Sequence, residues 1–312
     1  MKESRPPDAE DRLPSARFAS RRGPRVEGAC EIKEAADAGG SRLSRRRMLG
    51  LGLAVFTPPL AAAAWRGGRT KGNMETMESW WQKRPGKAAE EGRLLSRPSE
   101  VKETNAPAGR HSLKLGDGRD CLLYVPAQYK PANPAPLVLM LHGAGGDAPQ
   151  GLSLLGKFAD ESGFILLAPA SRRQTWDVIV DAYGPDVELI DRALEQCFRR
   201  YAVRPSRVAV GGFSDGASYA LSLGLTNGDL FTHVLAFSPG FMVPAAQKGR
   251  PRLFISHGTN DRVLPIERCS RRLVPQVKRA GYDVLYREFE GPHTVPPGIA
   301  REAVEWFMKE RE

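Results

Sequence analysis

The chain has 312 residues, 41% of them apolar and 26% charged, which suffices for one sizeable buried core preceded by an accessory segment. Its formal charge is +10, but much of the arginine lies before Met48, and no later stretch interleaves Lys/Arg with aromatics as a nucleic-acid groove does, so nucleic acid is not an expected partner. The four cysteines, Cys30, Cys121, Cys197 and Cys269, form no C-x-x-C pair or Cys/His cluster. No metal site, redox motif or disulfide framework is therefore expected.

Residues 1–43 are rich in Arg, Asp, Glu, Gly and Pro with few large apolar side chains, the composition of a disordered leader. Residues 44–64 read as an export signal. Ser44-Arg45-Arg46-Arg47-Met48-Leu49 is similar to the twin-arginine motif, followed by a short apolar run and by Ala61-Ala62-Ala63-Ala64, with cleavage after Ala63 or Ala64. This predicts transient contact with the twin-arginine export machinery and a periplasmic or secreted protein, an uncleaved membrane anchor being the alternative. Residues 65–109 are polar and rich in Gly, Pro, Lys and Glu. They predict a flexible linker, with a short helix over Met74–Trp81.

Residues 110–312 carry the folded domain. Strands are predicted at Cys121–Val125, Leu137–Leu141, Phe164–Ala168, Val208–Gly212, His233–Phe237, Leu253–His257 and Val284–Phe289, several of them uninterrupted apolar runs of the kind buried on both faces. Helices are predicted over Leu152–Ser162, Asp186–Tyr201, Ala217–Leu225 and Ile299–Met308. In the second of these, Val187, Ile190, Leu194, Cys197, Phe198 and Tyr201 form one stripe that places the Cys197 thiol inside. Strands alternating with helices specify an α/β fold, a mainly parallel sheet with helices on both faces and its site at the carboxyl ends of the strands.

Four strand ends carry chemistry. Gly212-Phe213-Ser214-Asp215-Gly216 fits G-x-S-x-G at a strand-to-helix turn, which exposes the Ser214 hydroxyl and turns the Asp215 N–H toward a developing oxyanion. A chance pentapeptide is the bland alternative in a chain with 32 glycines. Leu141-His142-Gly143-Ala144-Gly145-Gly146 leaves backbone N–H groups free for negative charge. Ala144 is the candidate second donor and Gly145 its alternative; a phosphate cradle competes, but no P-loop or dinucleotide fingerprint is present. A serine needs an imidazole to take its proton, and the imidazole needs an acid on its other nitrogen. His293, in the turn-rich loop after the last strand, is the candidate base. Asp261 is the candidate acid, with Asp177, Asp181 and Asp186 as less well placed alternatives. His142 and His257 begin glycine turns and are read as loop-orienting. His142, Gly143, Trp176 and Tyr183 are assigned to a substrate pocket, with packing at the domain edge as the alternative for Trp176.

The order Ser214, Asp261, His293, together with Leu141–Gly146, Gly212–Gly216, His257-Gly258-Thr259-Asn260-Asp261-Arg262-Val263-Leu264-Pro265 and Pro292-His293, resembles the serine α/β-hydrolases of the phospholipase/carboxylesterase group. That group is related to dienelactone hydrolases and to polyhydroxybutyrate depolymerase-like esterases. The resemblance implies an α/β-hydrolase fold, no cofactor, and hydrolysis of a small-molecule or lipid-like ester through an acyl-enzyme. A polyester depolymerase-like esterase or a peptidase is the runner-up, and a non-catalytic ligand-binding protein of the same fold a third reading. This chain has Asp215 where the group's thioesterases often carry Gln, and serine where dienelactone hydrolases carry cysteine. The short connection from Phe237 to Leu253 leaves no room for a cap domain.

Overall fold

The computed structural model describes residues 85–101, 106–115 and 120–310. The expected leader, the arginine motif with its alanine run, the helix at Met74–Trp81 and Cys30 lie outside the described residues. Eight strands, β1 (Gly109–Ser112), β2 (Cys121–Val125), β3 (Ala135–Leu141), β4 (Ile165–Pro169), β5 (Val203–Phe213), β6 (His233–Phe237), β7 (Arg252–Gly258) and β8 (Val284–Phe289), form one sheet in the order β1-β2-β4-β3-β5-β6-β7-β8. β1 and β2 pair antiparallel with their neighbours, and every pair from β4 to β8 is parallel.

Alternation along the strands divides the core into two layers. Leu137, Leu139 and Leu141 of β3 face one apolar cluster, and Val138 and Met140 face the other. The first cluster is closed by helices α4 (Pro185–Arg200), α5 (Asp215–Thr226) and α6 (Ser270–Arg279), and the second by α2 (Ala148–Ser162) and α7 (Pro297–Met308). Both faces of the central strands are therefore apolar, which is why their sequences read as continuous hydrophobic runs. Cys197 lies in the first cluster, where burial pushes its thiol up to about 12. Cys121 and Cys269 are buried as well.

Among the described residues two further, short helices are present, α1 (Lys87–Glu90) and α3 (Asp177–Val180). The first belongs to the stretch expected to be a flexible linker, and for residues 86–97 that expectation is corrected. Leu94 is fully buried, its N–H donates to Asn227 Oδ1 (2.9 Å), and Asn227 Nδ2 donates back to Gly92 O (2.8 Å). Arg93 forks onto both carboxylate oxygens of Asp229 (3.0 and 2.8 Å), and Arg97 adds a third contact at 2.6 Å. These two guanidinium groups hold the Asp229 carboxyl below its usual range. Backbone N–H groups of Leu95 and Ser96 both donate to Asp191 Oδ1. Polar composition signals disorder only where polar groups lack partners, and here they have them.

The connection from β6 to β7 holds no helix. It runs along α5, where Ser218, Ser222 and Thr226, spaced by four, each donate to the carbonyl one turn back. The same hydroxyls accept from the N–H groups of Gly240, Val243 and Ala245 at 2.9, 2.9 and 3.0 Å. The connection thus lies flat on the helix and does not rise over the strand ends.

Candidate active site

β5 delivers Ser214 on a strained turn, φ 58° and ψ −120°, a conformation that costs a non-glycine residue about 1–3 kcal/mol. The flanking glycines are sterically required. A Cβ on Gly212 would meet Gly216 O at 2.2 Å, and one on Gly216 would meet the Leu141 and His142 carbonyls at 2.4 and 2.5 Å. The turn is pinned by Ser214 N–H donating to Phe237 O (2.9 Å).

The loops after β7 and β8 are knitted together. Thr259 N–H donates to Phe289 O (2.9 Å) and Asn260 N–H to Gly291 O (3.0 Å), a closeness that leaves no space for a Cβ on Gly258. This juxtaposition brings Asp261, on one loop, beside His293, on the other. His293 Nδ1 lies 2.5 Å from Asp261 Oδ2, and His293 Nε2 lies 2.8 Å from Ser214 Oγ. The imidazole packs on Phe213, ring centroids 4.6 Å apart.

Asp261 is buried, and its charge is met on all sides. Oδ1 accepts from the N–H groups of Val263 (2.9 Å) and Leu264 (2.8 Å), while Oδ2 faces His293 and, at 3.2 Å, His257 Nε2. His257 is itself enclosed. Its Nε2 lies 2.7 Å from Leu264 O, which only accepts, so that nitrogen carries the proton and Nδ1 accepts from the Ser270 hydroxyl at 2.7 Å. Desolvation lowers its pKa below the ordinary histidine value and keeps the ring neutral beside the carboxylate. The sequence marked His257 only as a loop-orienting residue; its place four residues before Asp261 was the available signal. Of the other candidate acids, Asp177 and Asp186 hold each other's backbone and Asp181 is exposed; none is hydrogen-bonded to His293.

The glycine turn after β3 lies against Ser214, since a Cβ on Gly143 would touch both Phe213 and Ser214 Cβ at 3.4 Å. Ala144 N–H and Asp215 N–H, the latter in the first turn of α5, have no acceptor among the described residues. Gly145 N–H donates to Gln174 O (2.6 Å), which removes the alternative donor.

Three pocket assignments need correction. His142 is fully buried, its Nε2 accepting from Ser171 N–H (2.9 Å) and its Nδ1 lying 2.7 Å from Gly143 O, so the ring braces the turn from within. Trp176 is also fully buried, stacked on Tyr219 with its indole N–H donating to His142 O (2.9 Å). A buried indole needs an acceptor, and finding one here draws the ring inside. Tyr183 packs over Gly92 and donates to Val243 O (2.9 Å), which fastens the β6–β7 connection. Thr175, which no motif marks, donates its hydroxyl to Asp215 Oδ2 (2.6 Å).

A family model described as phospholipase/carboxylesterase matches residues 167–297, a span that includes Ser214, Asp261 and His293. The chain is 30% identical over 158 residues to a bifunctional acetylxylan esterase/xylanase of Neocallimastix patriciarum, covering 48% of this chain and 22% of that protein. It is 30% identical over 159 residues to the probable feruloyl esterase C of Aspergillus niger, covering 48% and 58%. The chain thus spans less than two thirds of the length of these curated relatives. The solved structure of an S-formylglutathione hydrolase from Staphylococcus aureus is similar at a TM-score of 0.54 with 13% identity, over 65% of this chain and all of that one. With this sheet order, a serine on the turn after its fifth strand and helices on both faces, the chain has the α/β-hydrolase fold.

Proposed function

We propose that the protein is a serine hydrolase that cleaves carboxylic esters through an acyl-enzyme. The observation that carries this reading is the continuous path from Asp261 Oδ2 through the His293 ring to Ser214 Oγ, at 2.5 and 2.8 Å. Ser214 Oγ attacks the ester carbonyl as its proton passes to His293 Nε2, and the Asp215 and Ala144 N–H groups receive the oxyanion. Collapse of the adduct breaks the bond to the alcohol, which leaves with the proton from His293. Water, deprotonated by the same nitrogen, then releases the acid and restores Ser214. The curated relatives' names bracket the acyl group between acetyl and feruloyl, and the flat β6–β7 connection leaves the strand ends without a cap from that side. Export by the twin-arginine route is part of the proposal, supported by Ser44–Leu49 and tested by the N-terminus of the protein recovered outside the cytoplasm.

The protein is expected to release p-nitrophenol from p-nitrophenyl acetate and to hydrolyse methyl ferulate. Ser214→Ala is expected to lower kcat at least about 10⁴-fold with an unchanged circular dichroism spectrum. A variant that turns over at the wild-type rate removes Ser214 from the role.

A further inference from the structure

The loop between β4 and α3 grips both chain segments that carry the proposed oxyanion donors. Ser171 N–H donates to His142 Nε2, Trp176 Nε1–H to His142 O, and Gly145 N–H to Gln174 O, so three hydrogen bonds fix the turn that contains Ala144. The fourth, from Thr175 Oγ1 to Asp215 Oδ2, fixes the first residue of α5. One short loop therefore spans the gap across which the two N–H groups must converge.

That loop is held by two carboxylates. Asp186 accepts from Arg172 N–H (2.7 Å) and from Asp177 N–H (2.8 Å); Asp177 accepts from Val178 N–H (2.7 Å), from Gly184 N–H (2.8 Å) and from Asp186 N–H (2.9 Å). Each thus receives the other's backbone N–H. Asp186 is 1% exposed, and the groups facing the pair are the Arg172 guanidinium, Tyr219 of α5 and Tyr183. Two like-charged groups brought together out of water are a costly way to fill space, and apolar side chains would do so at lower cost. What the carboxylates supply is direction, because five N–H vectors along the loop are aimed at them.

We propose that Asp177 and Asp186 are positioning residues for the oxyanion hole, setting through the loop Ser171–Asp177 the separation of the Ala144 and Asp215 N–H groups. The proposal rests on the serine-hydrolase reading above. Its alignment function requires that damage to the pair be felt where the oxyanion forms and not where the ground-state ester binds.

The test uses the full chain with Asp186→Asn and, because that variant is liable to misfold, Trp176→Phe, which keeps an aromatic ring against Tyr219 and loses the N–H to His142 O with part of the indole's volume. Steady-state turnover of p-nitrophenyl acetate is measured beside the affinity for an aryl trifluoromethyl ketone, which adds to the serine and generates the oxyanion. For folded variants, kcat is expected to fall about 10- to 100-fold with KM within about twofold, and ketone affinity to fall in parallel. Unchanged kcat in Trp176→Phe, a change confined to KM, or lost turnover with undiminished ketone affinity overturns the positioning role. Ser214→Ala is run alongside: turnover that survives it overturns the serine-hydrolase reading and the positioning role together, whereas turnover lost there and kept in the loop variants overturns the positioning role alone.

Discussion

At the scale of single residues, the sequence disclosed those whose chemistry is tied to a backbone requirement. Ser214 announces itself because Gly212 and Gly216 are needed to turn the chain beside it, and a Cβ on either would strike backbone atoms. His257 offered only its place four residues before Asp261, and Thr175 offered nothing, because a single side chain's identity does not name a partner 40 positions away. Trp176 was misjudged for a related reason. An aromatic beside a strand end serves a pocket or a core equally well, and only the acceptor on His142 decides between them. The most telling residue is Asp186, which burial first and then the charge of Asp177 push up to about 7 from an ordinary 3.8. A carboxyl whose folded pKa is raised holds its proton more tightly when folded, so its stabilising contribution is complete below about pH 4 and is lost as the pH rises through about 7. The melting temperature of the wild-type protein minus that of Asp186→Asn is therefore expected to be larger at pH 5 than at pH 8. A difference that is constant or grows with pH contradicts this assignment.

At the scale of elements, the strands that read as continuous apolar runs are the ones buried on both faces, and α5 and α7 stand close to where periodicity placed them. β1 was missed because Gly-Arg-His-Ser has no alternation and gains its pairing only from β2 at the sheet edge. β5 was read too short, since Pro205 argues against a central strand; the register shift between Ala135 and Leu137 accommodates it. Helix α5 conceals a polar ladder in a buried element. Ser218, Ser222 and Thr226 are weak helix formers by intrinsic propensity, yet each hydroxyl joins a helix carbonyl to the β6–β7 connection. Ser222→Ala leaves the half-buried Val243 N–H without its acceptor and is expected to reduce the free energy of unfolding in urea by about 1 kcal/mol. An unfolding curve that superimposes on the wild type means that the connection is not held by these hydroxyls.

At the scale of the molecule, the parallel α/β sheet followed from alternation alone, while the attachment of residues 86–97 did not. That segment buries Ala89 and Leu94 and is otherwise joined by hydrogen bonds to residues about 100 positions further along, a pattern with no local period. A chain beginning at residue 107 lacks Arg93, Leu94 and Arg97 and leaves Asn227 and Asp229 without these partners. Compared with a chain beginning at residue 85, it is expected to melt about 4–8 °C lower, equivalent to about 2 kcal/mol. Equal melting temperatures restore the reading of the whole 65–109 stretch as a tether.

Whether Ser214 is an activated nucleophile is tested most directly by fluorophosphonate labelling of the folded protein followed by peptide mass spectrometry. One adduct per chain on Ser214, abolished in His293→Ala, is the predicted result. An unlabelled Ser214 in the wild-type protein, or labelling that persists without His293, contradicts it.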